Sequence, residues 1–322
     1  MREEILNELR SEYEWQREQN DRLHSEKVAE AMKRCPELGG LLNQRQQLIQ
    51  NALRGILRGN AKTTDIPAEM EKLNRAIGDT LERNGLGRNS LEPVYRCPIC
   101  EDKGYTGEPI RSMCSCMKKR YQEKLRKAIG LENNGCERFD TFDEKILPGE
   151  NLPGKNYSQR ALTVMVRDKC RLWADTYPDN DIRNILLMGQ TGLGKSFLMH
   201  AMADRLIERG EDVLMISAYR FLEMARTGYF NNSADELSEL MDADILLLDD
   251  LGSEPLMQNI TVEQLFNLIN ERQGRGKATV ISTNLNKTEF CERYTERIAS
   301  RLMDARQSMT LTLMGDDVRM RK

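Results

Sequence analysis

Residues Gly189–Ser196 read G-Q-T-G-L-G-K-S, which fits the phosphate-loop pattern G-x-x-x-x-G-K-[S/T]. The apolar run Asn184–Met188 before the loop suits a buried strand, and residues 197–209 after it carry a helical pattern that stops at Gly210. A strand–loop–helix unit directs backbone N–H groups and a helix dipole at one point, where phosphate binds. The alternative is a glycine-rich turn that matches by chance, and the flanking elements argue against it. The sequence predicts a nucleoside triphosphate site.

Positions within this loop have distinct predicted roles. Gly192 and Gly194 let the main chain approach phosphate oxygens without a Cβ in the way. Lys195 is expected to reach the β- and γ-phosphates, and the Ser196 hydroxyl to ligate Mg²⁺. The predicted nucleotide-binding residues of the loop are Gly189, Gln190, Thr191, Gly192, Leu193, Gly194, Lys195 and Ser196.

Length and composition limit the classes of protein to consider. The 322 residues are 31% charged, and no apolar run approaches the ~20 residues of a membrane helix. The N-terminus lacks the apolar core of a signal peptide, so we expect a cytoplasmic protein. Its eight cysteines are then reduced, which favours metal ligands over disulfides. The net charge of -3 excludes a global basic field for nucleic acid.

The pattern of apolar residues predicts three domains. Residues 1–93 are polar with narrow apolar stripes, which indicates three or four helices in a plain bundle or a docking module. Residues 94–120 form a compact cysteine unit, and residues 121–322 alternate strand and helix patterns as in an α/β parallel sheet. The predicted strands are Ile185–Met188, Val213–Ser217, Ile245–Asp249, Thr279–Thr283 and Thr310–Leu313.

Two carboxylates follow the apolar run Ile245–Leu248. The strand is expected to deliver Asp249 to the sheet edge beside the phosphate loop, where it holds Mg²⁺. Asp250 is the candidate to orient the attacking water, with Glu254 as a weaker substitute. The alternative is a strand that ends in two solvated acids.

Polar residues near the C-terminus are further candidates. Asn284 follows a predicted strand and is placed to hydrogen-bond the attacking water or the γ-phosphate, unless it only caps the strand. Arg297 and Arg301 are four apart and share a helix face. Such a pair suits γ-phosphate contact across a subunit boundary, although spacing alone favours a solvated basic face.

Four cysteines lie within twenty residues, as C-x2-C, thirteen residues, then C-x-C. This spacing suits a tetrahedral structural Zn²⁺ site formed by Cys97, Cys100, Cys114 and Cys116. A closed four-cysteine site leaves no position open for catalysis. The alternatives are a redox C-x-x-C motif and chance clustering.

A stretch between two predicted strands mixes basic and aromatic residues. Its arginines and aromatic rings could contact single-stranded DNA by charge and stacking, or the segment could be an amphipathic helix that buries its aromatic side chains. The candidate residues are Tyr219, Arg220, Arg226, Tyr229 and Phe230.

These motifs together resemble the AAA+ ATPases, and more closely the DnaC/DnaI-type replicative helicase loaders of bacteria and phages. The resemblance covers residues 135–322 in order, and the segment Asp249–Gly252 is quite specific to it. It implies that Asn284 is the sensor-1 residue and Arg301 the arginine finger, with Arg297 assisting. The cysteine unit also resembles the zinc segment of DnaI-like loaders.

The resemblance implies three more features. Arg319 matches the position of the sensor-2 arginine. Many AAA+ proteins carry Glu where Asp250 stands, so slow, switch-like ATP hydrolysis is expected. Only nine residues follow Leu313, too few for a C-terminal helical lid, which the resembled loaders also lack.

The leading functional hypothesis is a helicase loader that delivers a DnaB-type helicase onto single-stranded DNA under the control of ATP. The N-terminal helices would hold the helicase, and the ATPase domains would self-associate through their arginine fingers. The main alternative is an IstB-type transposition ATPase that activates a transposase; the zinc unit and the long N-terminal region favour the loader. A metabolic phosphoryl-transfer enzyme is a third class, for which no substrate-binding constellation is evident.

Overall fold

A computed structural model describes residues 2–57, 66–107, 109–131, 137–231, 235–257 and 260–320. The described residues group into two compact units, residues 7–117 and the remainder. The first unit joins the predicted helical domain to most of the predicted cysteine unit, and the boundaries of the functional domains stay a prediction.

The N-terminal region contains the helices α1 (Arg2–Arg34), α2 (Pro36–Leu57) and α3 (Ile66–Arg83). A small apolar cluster holds them together where their narrow stripes meet, and its buried members are Ala31, Cys35, Leu38, Ile77 and Leu81. The short antiparallel strands β1 (Tyr105–Thr106) and β2 (Ser112–Met113) follow, and then helix α4 (Ser115–Ala128).

The second unit is built on five parallel strands in the order β4-β5-β6-β3-β7. Every residue of β3 and β6 is buried, as expected for central strands covered on both faces. The strands are β3 (Asn184–Met188), β4 (Val213–Ser217), β5 (Ile245–Leu251), β6 (Ala278–Thr283) and β7 (Ser308–Thr312). The five predicted strands are therefore confirmed, with β5 ending later than expected and β7 starting earlier.

Helices connect these strands and cover the sheet. They are α5 (Gln159–Thr176), α6 (Lys195–Arg209), α7 (Ala218–Asn231), α8 (Asp235–Asp242), α9 (Thr261–Gly274) and α10 (Lys287–Leu302). Helix α6 begins after Gly194 and ends at Gly210, which both adopt the left-handed conformation that glycine accommodates. None of the described helices has the length and apolar character needed to span a membrane.

Strand register brings the predicted catalytic segments to one sheet edge. Met188 at the end of β3 pairs with Thr283 at the end of β6, and Leu251 at the end of β5 also pairs with Thr283. Because the strands are parallel, the loops that follow them leave from the same edge of the sheet.

Candidate functional site

The phosphate loop connects β3 to α6 in the predicted strand–loop–helix arrangement. Gly192 and Gly194 have φ of 82° and 89°, a backbone region that other residues rarely adopt. A Cβ on Gly192 would lie 1.9 Å from Oδ1 of Asp317, so this position has no room for a side chain. The Val318 N–H donates to the Gly192 carbonyl at 3.1 Å. The segment after β7 is thus attached to the loop, a contact that no sequence pattern signalled.

Lys195 is held in place at the start of α6. Its side chain is buried, and Nζ donates to the carbonyl oxygens of Gly189 at 2.6 Å and Gln190 at 2.8 Å. An ammonium has three N–H donors, so two bonds to the loop fix its position and still permit one to phosphate. Burial lowers the Lys195 pKa, and the negative charges of Asp250 and Asp249 oppose that shift. These carboxylates therefore lie close enough to form one electrostatic site with the lysine.

A serine on β6 organises the two carboxylates at the end of β5. The Ser282 hydroxyl donates to Oδ1 of Asp249 and accepts the backbone N–H of Asp250 at 2.8 Å. The pairing of β5 with β6 is irregular between Leu248 and Leu251, which leaves Asp249 half-buried and Asp250 exposed. The arrangement can place one carboxylate near a cation and the other toward solvent. Ser282 stands in the predicted strand, but its sequence context gave no sign of this bridging contact.

Asn284 lies just past β6 with an unsatisfied acceptor. Its Oδ1 is buried and has no hydrogen-bond partner among the described residues. A Cβ on Gly252 would lie 2.9 Å from this oxygen, so the amide is close to the segment that follows Asp250. A buried amide oxygen without a partner is costly, and a water or ligand donor would satisfy it.

A cleft of about 680 Å³ adjoins the phosphate loop. Apolar side chains and backbone around it suit a flat aromatic base next to the phosphates. Its lining includes Leu152, Pro153, Gly189, Leu193, Leu313 and Met314. No sequence pattern marks Leu152 and Pro153 as candidates, because they lie in an irregular segment far from the motif.

Arg297 and Arg301 both stack on the same aromatic ring. Their guanidinium carbons lie 5.4 Å and 4.6 Å from the ring centroid of Phe266, which belongs to α9. Nη1 of Arg301 also donates to the Arg297 carbonyl at 3.1 Å. Stacking on Phe266 orients both positive groups while leaving Arg297 exposed. The predicted shared face is therefore present.

Arg319 and Glu254 differ in their surroundings. Arg319 is exposed in a short 3₁₀ turn, and its charge contributes to the lowered pKa of Lys195. Glu254 has a fully buried side chain that accepts hydrogen bonds from Gly252 and Tyr294. A carboxylate enclosed in this way does not suit the water-orienting role considered for it as a substitute.

The four cysteine sulfurs form one cluster in the N-terminal unit. All lie within 4.8 Å of one another, with Cys97 and Cys114 at 3.8 Å and Cys100 and Cys116 at 3.5 Å. A tetrahedral zinc site with Zn–S bonds of about 2.3 Å has sulfurs about 3.8 Å apart, so the cluster has the dimensions and soft donors that zinc requires.

Neighbouring groups support these ligands. The Asp102 carboxylate accepts the backbone N–H groups of Arg96 and Cys97 at 2.9 Å and 2.8 Å. The same carboxylate accepts from Asn20 of α1 at 2.7 Å, and the hydroxyl of Tyr13, also in α1, donates to Sγ of Cys116 at 3.2 Å. Such outer contacts orient metal ligands.

The candidate DNA-contacting residues all lie in α7. This helix buries Phe221 and Leu222, whereas Tyr219 and Arg226 are exposed on its other side. Arg220 is exposed and pairs with Glu223 at 3.3 Å. The side chains of Tyr229 and Phe230 lie outside the described part of the chain. The helix is thus amphipathic and also presents charge and an aromatic ring to solvent.

The sheet order, the phosphate loop after β3 and the paired carboxylates near the end of β5 define an ATP-binding fold of the AAA+ class. Residues 173–322 match the family described as IstB-like ATP binding protein. The replicative helicase loader DnaC of Escherichia coli K12 is 25% identical over 235 residues, which covers 70% of this chain and 89% of DnaC. Residues 173–322 thus match an IstB-like ATP-binding domain, and the chain is similar to DnaC, which confirms the resemblance inferred from the motifs.

Two further similarities were found. An ATP-binding protein of insertion sequence IS1162 from Pseudomonas fluorescens is 31% identical over 103 residues, covering 32% of this chain and 44% of that protein. The crystal structure of the DnaC helicase loader has a TM-score of 0.46 and 18% identity, covering 55% of this chain and 97% of that one.

Proposed function

We propose that this protein is an ATP-dependent helicase loader that delivers a DnaB-type replicative helicase onto single-stranded DNA. The similarity to DnaC carries the proposal. It extends over 235 residues, whereas the IstB-like match spans residues 173–322, so it reaches beyond the ATP-binding segment.

In this proposal the phosphate loop and the β5 carboxylates bind and slowly hydrolyse ATP. Lys195 holds the phosphates, and Ser196 and Asp249 hold Mg²⁺, which neutralises phosphate charge when bound. Asp250 orients the attacking water, and the Asn284 amide hydrogen-bonds that water or the γ-phosphate. The bond from Ser282 to Asp249 supports these assignments, because it fixes the carboxylate beside the loop.

Contacts between neighbouring subunits complete the ATPase in this proposal. Arg301, assisted by Arg297, reaches the γ-phosphate held by an adjacent copy, and Arg319 contacts the nucleotide of its own copy. Stacking on Phe266 supports the first assignment, since it presents both guanidinium groups from one surface.

The remaining partners belong to other parts of the chain. Helices within residues 1–93 bind the helicase, and the zinc-bound cysteines hold the adjacent segment folded. Tyr219, Arg220 and Arg226 contact single-stranded DNA, a role that their exposure on α7 supports.

A transposition ATPase that activates a transposase is the second candidate. The IstB-like family match and the similarity to the IS1162 protein favour it. It predicts a transposase as the partner and no stable complex with a replicative helicase.

The test is complex formation between the full-length chain and the DnaB-type helicase of the organism that encodes it. We expect co-elution in gel filtration, and ATP-dependent transfer of the helicase to circular single-stranded DNA. Lys195→Ala should retain the helicase complex but lose the response to ATP. Absence of a helicase complex with and without nucleotide, together with stimulation of a cognate transposase, would establish the IstB-type alternative.

A further inference from the structure

Glu254 is a buried carboxylate that links two segments of the candidate ATPase site. Its side chain has no exposed surface. One oxygen accepts the backbone N–H of Gly252 at 2.8 Å, and the other accepts the hydroxyl of Tyr294 in α10. Arg293 donates to the Glu254 carbonyl and lies 3.5 Å from its carboxylate, so the buried charge is paired.

The Gly252 side of this link leads directly to the paired carboxylates. Only Leu251 separates Gly252 from Asp250, and hydrogen bonds hold the intervening backbone. The Ser253 hydroxyl donates to the Asp250 carbonyl at 2.8 Å, and the Thr283 hydroxyl donates to the Leu251 carbonyl at 2.6 Å. A displacement of Asp250 on nucleotide binding therefore has a short, rigid route to Glu254.

The Tyr294 side leads to the two arginines. Tyr294 is fully buried and ends the first helical part of α10. The next residue, Thr295, interrupts the helix with φ of 73° and ψ of 153°, an unfavourable backbone for a β-branched residue. The second helical part begins immediately afterwards and carries Arg297 and Arg301. Its direction depends on how the backbone is held at this break.

The hydroxyl of Tyr294 is suited to a directional contact. Burial, and then the hydrogen bond to Glu254, raise the pKa of Tyr294 well above its usual value. The Tyr294 hydroxyl therefore remains a hydrogen-bond donor across the physiological pH range.

We propose that Glu254, acting through Tyr294, is a positioning residue that sets the direction of residues 296–302 according to the state of the Asp249–Asp250 end of β5. The inference rests on the proposed action of Arg301 on a neighbouring subunit. Each subunit would then change the position of its own Arg297 and Arg301, which act on the neighbouring subunit, in response to its own nucleotide site.

A purely structural role for this network makes a different prediction. Loss of a buried hydrogen bond would then destabilise the subunit and lower the ATPase rate, whichever subunit carries the change. If the network positions the arginines, its loss lowers the rate only in the subunit that donates them. Mixtures of two defective variants separate these cases.

The experiment mixes full-length Asp250→Asn, which should bind ATP without hydrolysing it and keeps its arginines, with full-length Arg301→Ala, which keeps its nucleotide site. Neither variant alone should hydrolyse ATP well, and the mixture should recover activity. Tyr294→Phe is then added to one variant or to the other. In the Asp250→Asn chain it should reduce the recovered rate about tenfold or more, since small misplacements of a reacting group have large effects. In the Arg301→Ala chain it should change the rate less than about twofold.

Tyr121→Phe is the matched control, because the Tyr121 hydroxyl also donates to a carboxylate, Asp212, at 2.7 Å but lies in α4. It should leave the recovered rate unchanged in either chain. Thermal unfolding checks that the Tyr294→Phe variant is folded. If that variant is unfolded, Glu254→Gln, which keeps the side-chain shape, is used in its place.

The outcomes are distinguishable. Equal losses in both chains, or no loss in either, overturn the positioning role while leaving the arginine assignment intact. If the unmodified pair recovers no activity, the proposed action of Arg301 across subunits is wrong, and the inference is refuted with it.

Discussion

Asp250 adopts a backbone conformation that restricts which residues can stand there. Its φ is 59°, in the left-handed region. That region costs most residues about 1–2 kcal/mol, whereas Asp and Asn enter it more readily because their short polar side chains bond locally. The Ser282 hydroxyl and the Ser253 side chain hold the peptide groups on either side of Asp250. The backbone therefore gives a physical reason for Asp, where many AAA+ proteins have Glu.

Substitutions at Asp250 separate its charge from its conformation. Asp250→Asn keeps the shape and tolerates the same φ, so we expect ATP hydrolysis to fall about 10²- to 10⁴-fold while ATP affinity changes little. Asp250→Glu should preserve or raise the hydrolysis rate and lower the free energy of unfolding by about 1 kcal/mol through backbone strain. Steady-state hydrolysis, binding of a fluorescent ATP analogue and thermal unfolding measure these effects. Loss of hydrolysis in Asp250→Glu with intact binding would contradict the water-orienting role.

At the scale of secondary-structure elements, a feature can be predicted from the sequence where a local pattern of residues encodes it. The apolar runs of β3 and β5 are buried on both faces, so their composition alone revealed them. The phosphate loop has a fixed spacing because backbone groups must surround a phosphate. The break at Thr295 has no such pattern, since tertiary contacts of Tyr294 with Glu254 accompany it. The approach of Asp317 to Gly192 likewise depends on distant parts of the chain.

Arg272 shows how one side chain of α9 holds neighbouring elements together. It is fully buried, and its guanidinium donates to the carbonyls of Leu240 at 2.6 Å and Ala243 at 2.7 Å. It also donates to the Thr279 hydroxyl at 3.0 Å and to the Ala278 carbonyl. These bonds join α9 to the end of α8 and the start of β6. Composition gave no hint of this role, because a charged residue in a helix is ordinarily solvated.

Replacing Arg272 should destabilise the ATP-binding unit. Arg272→Met leaves several buried acceptors without donors, so we expect the free energy of unfolding to fall by roughly 3–5 kcal/mol. Urea denaturation at neutral pH measures the change. Arg275→Met is the matched control, since Arg275 directly follows the same helix and makes exposed pairs with Asp242 and Glu271. It should change stability by less than about 1 kcal/mol; equal effects of both variants would show that burial of Arg272 contributes nothing.

At the scale of the whole molecule, the two units differ in how they can be stabilised. The ATP-binding unit has a large apolar cluster that includes Leu246, Leu248, Phe290 and Tyr294. The described helices of the other unit share a small cluster around Leu38 and Leu81. A unit with a modest core often depends on a metal or disulfides. The four-cysteine cluster, bonded to α1 through Tyr13 and Asp102, is the structural candidate for that support.

Zinc removal tests this dependence. We expect the purified protein to contain about one zinc per chain, and Cys97→Ser to lack it. A strong chelator should make residues 7–117 sensitive to protease while ATP binding by the rest of the chain changes less than about twofold. Cys291→Ser, which removes a thiol outside the cluster, should behave as the unaltered protein. A zinc-free protein that resists protease equally well would contradict a structural metal.

The pH dependence of zinc binding follows from the thiols themselves. Burial raises the pKa of Cys116 to about 12, whereas the backbone N–H of Cys100 lowers the pKa of Cys97 to about 7. Without metal at pH 8, Cys116 is therefore protonated, and it must release its proton to become a thiolate ligand. Each proton released raises the apparent zinc affinity about tenfold per pH unit, so affinity should rise steeply from pH 7 to pH 9. Competition with a chelator of known affinity measures the slope, and a flat profile would show that these thiols are not the ligands.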